Sequence, residues 1–171
     1  MALSLMETLC RVLATQRRHA VAAGVTVSLA VPDGSGMRGG TPEPLSRALP
    51  ALLRAAIGAV PPGATVEMRV EVATSEVVQL STAGPLRPGA VFMPPPDGGL
   101  GGIELPAPAR RAAAMVRNRG GRVEDRSSAV TGWLRLIVRL YFNPEDAVAV
   151  EGAKDRPDAG LTGSAPRGPR R

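Results

Sequence analysis

Apolar residues recur along this chain with two different periods, and each change of period marks the border of an element. Leu5, Leu9, Val12, Gln16 and Ala20 stand three or four residues apart, which predicts a helix with one buried face. Ser4-Leu5-Met6-Glu7 reads as its capping box and Gly24 as its stop. Val25, Val27, Leu29 and Val31 then alternate with smaller or polar residues, the period of a strand with one buried face, and Pro32-Asp33-Gly34 ends it. Pro42 and Pro44 open a second helix with the stripe Leu45, Leu49, Leu52, Ala56 and Val60. Pro50 within it removes a backbone hydrogen bond, so a kink is expected there. Val66, Met68, Val70 and Val72 predict a strand that pairs as a hairpin with Glu76 to Ser81.

From Gly84 to Gly102, five prolines and six glycines fall in nineteen residues, a density that predicts an irregular loop. A third helix is expected from Pro108 to Asn118, closed by Gly120, and a final hairpin from Arg122–Arg126 and Trp133–Phe142. Residues 143–171 are rich in Gly, Pro, Ala and charge without an apolar period, and are expected to be a disordered tail. The organisation is therefore one domain over residues 1–142, followed by the tail.

Composition narrows the classes. With 44% hydrophobic but only 2% aromatic residues, the core must be built from Ala, Val and Leu, which suits helices packed on a sheet. Recognition of RNA by aromatic stacking is disfavoured by the same figure. Cys10, the only cysteine, excludes an internal disulfide and a thiolate zinc cluster, and is read as a small buried hydrophobe. No apolar run is long enough to span a bilayer and no signal peptide is evident, so a soluble, cytoplasmic protein without membrane partners is expected. The net charge of +6 comes from 21 Lys and Arg, a single lysine among them, against 15 acids. The excess lies before Asn143 and suits an acidic partner.

Leu45 to Gly63, LSRALPALLRAAIGAVPPG, resembles the N-box helix of histidine-kinase-type ATPase domains, an L-x-x-x-L-x-N-L-x-x-N-A frame running into Pro-Pro-Gly. Ala22-Ala23-Gly24-Val25-Thr26-Val27 is similar to that family's helix-to-strand entry. Arg38-Gly39-Gly40 is similar to its V-x-G-D turn, and Arg119-Gly120-Gly121-Arg122-Val123-Glu124 to its H-G-G-x-I-x segment. The order helix, strand, helix, hairpin, long loop, helix, hairpin agrees, and the resemblance covers about residues 3 to 142. It implies an α+β two-layer sandwich, a mixed sheet covered on one face by about three helices. The chain also resembles the C-terminal domain of the histidine phosphotransferases of the bacterial cell-cycle phosphorelay, through Ile103 to Val123.

Chemistry departs from the family pattern. Ala51 and Ala55 stand where the family carries its two asparagines, and a methyl group neither coordinates magnesium nor accepts a hydrogen bond. When the D-x-G-x-G motif is aligned on Gly84-Pro85, its aspartate position holds Thr82 and its second glycine is Leu86. Asp97 to Gly102 keeps glycines, read as a flexible loop or as a residual phosphate cradle. The expectation is a domain that has lost ATP, has no cofactor and is not an enzyme. His19 is read as a solvated helix-face residue and not as a phosphoacceptor.

The remaining constellation is basic. Arg110, Arg111, Arg117, Arg119, Arg122 and Arg126 put six positive charges in seventeen residues, either a solvated face or a surface for an acidic partner. Arg110, Arg111 and Arg117 are the candidate partner-binding residues, and the resemblance implies a response-regulator receiver domain or a histidine kinase as the partner, with a homodimer possible. A kinase subunit with residual nucleotide binding and an arginine-patch nucleic-acid binder stand as alternatives, the latter disfavoured. Glu124-Asp125 and Glu145-Asp146 are adjacent pairs whose side chains diverge in a strand, and so are poor acid–base partners. Ser127-Ser128 is read as a turn, and Trp133 as a core or sheet-edge anchor.

Overall fold

The computed structural model describes residues 4–32, 43–74, 77–93 and 102–141. Three helices, α1 (Leu5–Ala23), α2 (Glu43–Ala59) and α3 (Ala107–Arg117), lie on one face of a five-stranded mixed sheet. Its strands are β1 (Thr26–Ala30), β2 (Thr65–Ala73), β3 (Val77–Pro85), β6 (Arg122–Asp125) and β7 (Trp133–Tyr141), in the order β1-β2-β3-β7-β6. β1 runs parallel to β2 and the other neighbours are antiparallel. This is the expected α+β two-layer sandwich. The 143–171 tail, the Arg38-Gly39-Gly40 turn, the 97–101 glycines and Glu145-Asp146 lie outside the described residues.

Alternation builds the buried face. Val66, Met68 and Val70 of β2, Val78 and Leu80 of β3, and Leu134, Leu136, Val138 and Leu140 of β7 are all buried beneath the helices. α2 is the central helix and packs against both α1 and α3. Leu45, Leu49, Leu52, Leu53, Ala56 and Ile57 fill the space between it and the sheet. The Ser4–Glu7 capping box forms in both directions: Glu7 N–H donates to Ser4 Oγ at 3.2 Å, and Ser4 N–H to Glu7 Oε2 at 2.8 Å.

α2 runs through Pro50 as one helix, with Pro50 offering no N–H to the carbonyl of Ser46. Several expectations change. β3 extends to Pro85, past the expected end at Ser81, because β7 pairs with it as far as Pro85 opposite Trp133. The proline-rich loop carries a small hairpin, β4 (Phe92–Met93) and β5 (Gly102–Ile103). Val72 is 38% exposed, since the register shifts by one residue between Val70 and Val72 and a one-residue shift moves a side chain to the other face. Cys10 is exposed rather than buried, one helical step round from the inward-facing Leu9. Trp133, 47% exposed, begins β7 and is not a core residue.

The close of α3 explains the two glycines that follow it. Gly120 has φ 76°, a conformation that L side chains rarely adopt, and donates its N–H to the Arg117 carbonyl. Gly121 is buried, and a methyl group there would lie 2.7 Å from side-chain atoms of Leu140 and Val116 and 2.8 Å from the Arg139 carbonyl.

Candidate functional site

The second helix presents a face of small residues beside its core stripe. Ala51, Ala55, Gly58 and Ala59 recur at three- and four-residue spacing, leaving the helix without bulk where it meets the chain between β3 and α3. The result is a cavity of about 670 Å³, within the roughly 300–1,000 Å³ of small-molecule sites. α2 adds Pro50 and Arg54 to its wall, and α1 adds Gln16 and His19. The opposite wall is Arg87, Ala90 and Val91 after β3, then Ile103 and Glu104, with Pro106 and Pro108 at the start of α3.

Backbone hydrogen bonds hold that opposite wall. Arg87 N–H donates to the Ala59 carbonyl at 2.7 Å and Glu104 N–H to the Val91 carbonyl at 2.8 Å. The Asp125 carboxylate accepts the Ile103 N–H at 2.7 Å and the Ser127 N–H at 2.8 Å, tying β5 to the edge of the main sheet. Glu124 faces elsewhere and pairs with Arg126 at 2.9 Å, so the adjacent acids diverge as expected. Ser127 and Ser128 lead from β6 into the turn at 129–132 and do not form it: Ser128 bridges Trp133, and Ser127 Oγ accepts the Arg135 N–H.

Of the positions singled out in the sequence, Ala51 and Ala55 meet in the cavity wall. Thr82 and Gly84 do not: both are buried in β3, Thr82 opposite Met68 and Leu136 in the register. Gly84 abuts β2, where an added methyl would lie 3.0 Å from the Thr65 carbonyl and 3.2 Å from Val60. His19 is half-buried and lines the cavity instead of standing free on the helix face. Arg110, Arg111 and Arg117 are exposed on α3, opposite its buried Ala109, Ala112, Ala113 and Val116, and have no ion-pair partner among the described residues. Arg54, Arg87 and Gln16 were not anticipated. For Arg54 the signal was present, because it shares the Ala51, Ala55, Gly58 face; Arg87 and Gln16 reach the cavity only through folding.

Electrostatics elsewhere are concentrated on the open face of the sheet. The Glu71 carboxylate, at the register shift in β2, accepts from Gln79 and from Arg135 at 2.8 Å, and Arg139 donates to Gln79. Burial acts to raise the pKa of Glu71, but hydrogen bonds from Gln79, Ser81 and Arg135 and the charge of Arg135 outweigh it and hold the carboxyl below its ordinary range. Among the described residues no cluster of His, Cys, Asp and Glu could hold a metal ion, and no helix is long and apolar enough to cross a membrane.

No protein-family model matches the sequence, and no curated protein matches it. Solved structures do. A histidine kinase from Burkholderia phymatum STM815 aligns with TM-score 0.63 and 18% identity over 81% of this chain and 69% of its own. The catalytic domain of the histidine kinase ThkA gives TM-score 0.61 and 11% identity, covering 81% and 94%. The fold is that of a histidine kinase catalytic domain. The Acinetobacter baumannii histidine kinase AdeS matches with TM-score 0.58 and 14% identity over 84% of this chain and 67% of that one. These neighbours overturn the expectation that the chain is not an enzyme, since all three are kinases and one is represented by its catalytic domain alone.

Proposed function

We propose that this domain serves bacterial two-component signalling in the cytoplasm by docking the acidic surface of a receiver domain through Arg110, Arg111 and Arg117, in the manner of a phosphorelay histidine phosphotransferase. The observation that carries the reading is the arginine face of α3, three exposed cations without ion-pair partners among the described residues on a helix whose other face is packed. A receiver's phosphorylation site is a cluster of carboxylates, so opposite charge raises the association rate and makes it fall with salt. Along the helix Arg110 and Arg117 share a face by the roughly 3.6-residue period, and Arg111 lies at its edge. In this reading the alanines at 51 and 55 weaken magnesium-ATP binding, and the surface of α3 carries the function.

Reversing Arg110, Arg111 and Arg117 to glutamate tests it. The triple variant is expected to stay folded and to lose binding to a cognate receiver at low ionic strength. Undiminished binding would move the docking surface elsewhere, and a loss confined to nucleic-acid binding would replace the reading. A second reading, a kinase subunit with residual nucleotide binding, rests on the kinase fold and on the ligand-sized volume beside α2, and not on the chemistry of the cavity walls.

A further inference from the structure

The cavity beside α2 is chemically unlike a site for a polyphosphate. Its walls are mostly Ala, Pro, Val and Ile, and its fixed cations are Arg54 and Arg87, neither of which has an ion-pair partner among the described residues. A group carrying three phosphates needs several N–H donors, commonly from a helix N-terminus. Here Pro108, which has no N–H, removes one donor from the first turn of α3 at the cavity edge and leaves those of Ala107 and Ala109, and the cap residue Pro106 offers no side-chain hydrogen bond. Thr82, at the position aligned with the family's base-binding aspartate, is buried in β3 and is not part of the wall.

We propose that this cavity binds a small amphiphilic carboxylate, its apolar body against Ala51, Ala55, Val91 and Ile103 and its carboxylate on Arg54 and Arg87. Arginine matches a carboxylate with a planar fork of donors, and a largely apolar wall with a few polar groups is the composition of a small-molecule site. One acid, Glu104, also lines the wall, so the net fixed charge facing the ligand is positive but small, which suits a monoanion better than a triphosphate. The proposal stands apart from receiver docking, which uses the outer face of α3.

Calorimetry on the full chain with dodecanoate, dodecanol and magnesium-ATP tests it, with dodecanoate kept below its micellar concentration. Dodecanoate is expected to bind, and dodecanol at least tenfold more weakly. Arg54→Ala and Arg87→Ala should each weaken dodecanoate about tenfold and leave dodecanol unchanged. Gly58→Phe is the blocking variant, because Gly58 lies on the helical wall with nothing within 4 Å of an added Cβ, so a ring enters the cavity without breaking the fold. It should abolish dodecanoate binding while the melting temperature stays within a few degrees of wild type. No dodecanoate binding, equal binding of dodecanol, or full binding by the Gly58→Phe protein overturns the proposal. Tight magnesium-ATP binding that excludes dodecanoate overturns it in favour of a nucleotide site.

Discussion

The Asp125 carboxylate holds the backbone N–H of Ile103 at 2.7 Å, a bond across 22 residues that joins the edge strand β6 to the small strand β5 walling the cavity. Among the described residues β5 has only β4 as a strand partner, over two residue pairs, so this side chain does what a longer ladder does elsewhere. Gly102, just before Ile103, is packed so closely on the carboxylate that a side chain there would collide with it.

Asp125→Ala is therefore expected to leave the Ile103 and Ser127 N–H groups unpaired, at a cost of about 1–3 kcal/mol, lowering the melting temperature by several degrees. Asp125→Asn, which keeps one acceptor oxygen, should fall between. Thermal melts of the three proteins check the order, and equal melting of wild type and alanine variant would remove the tether from the account.

Gly121→Ala should destabilise without touching the cavity. The new methyl meets Leu140, Val116 and the Arg139 carbonyl at 2.7–2.8 Å, and overpacking of that kind costs about 1–3 kcal/mol. Denaturant unfolding should show a lower midpoint with an unchanged slope. Gly58→Ala is the control, since that position is open and alanine is the better helix former.

Acid stability should depend on Glu71. Its folded-state pKa lies below the ordinary value of 4.5, so the carboxylate's stabilisation is complete above that pH and is lost as the pH falls through the lowered folded value. Glu71→Gln should flatten the acid limb of the stability curve below pH 4.5 while changing its shape little at neutral pH. A wild-type acid limb retained in the variant would place the responsible carboxylate elsewhere.

Magnesium-ATP is expected to bind more weakly than low micromolar, because Ala51 and Ala55 supply no donor, acceptor or metal ligand to the cavity they line. Installing asparagine at both positions should strengthen it about tenfold or more, the equivalent of a polar contact worth about 1.5–3 kcal/mol. Calorimetry on wild type and the double variant decides; low-micromolar binding by the wild type would favour the kinase reading.

Element order, the buried stripes of α1 and α2, the capping box and the β2–β3 hairpin were legible in the sequence, because each rests on a local period or on contacts between neighbouring elements. The α+β sandwich followed from the family resemblance that their order and local strings carry. Val72 shows where periodicity stops: the bulge at Glu71 is set by pairing with β3 and by the Glu71, Gln79 and Arg135 network. Cys10 shows the same for composition, since burial depends on the helix face and not on the residue type.

Ala51 and Ala55 could be singled out through the resemblance of their helix to the family's N-box, and their meeting in one wall followed from helical spacing. That Arg87, Gln16 and Ile103 close the same cavity could not be read, because they come from separate elements brought together only when α1, α2 and the segment before α3 pack. Local propensity acts over a few residues and writes itself into the sequence, whereas a cavity is defined by the volume that distant side chains leave unfilled, and that volume exists only in the folded chain.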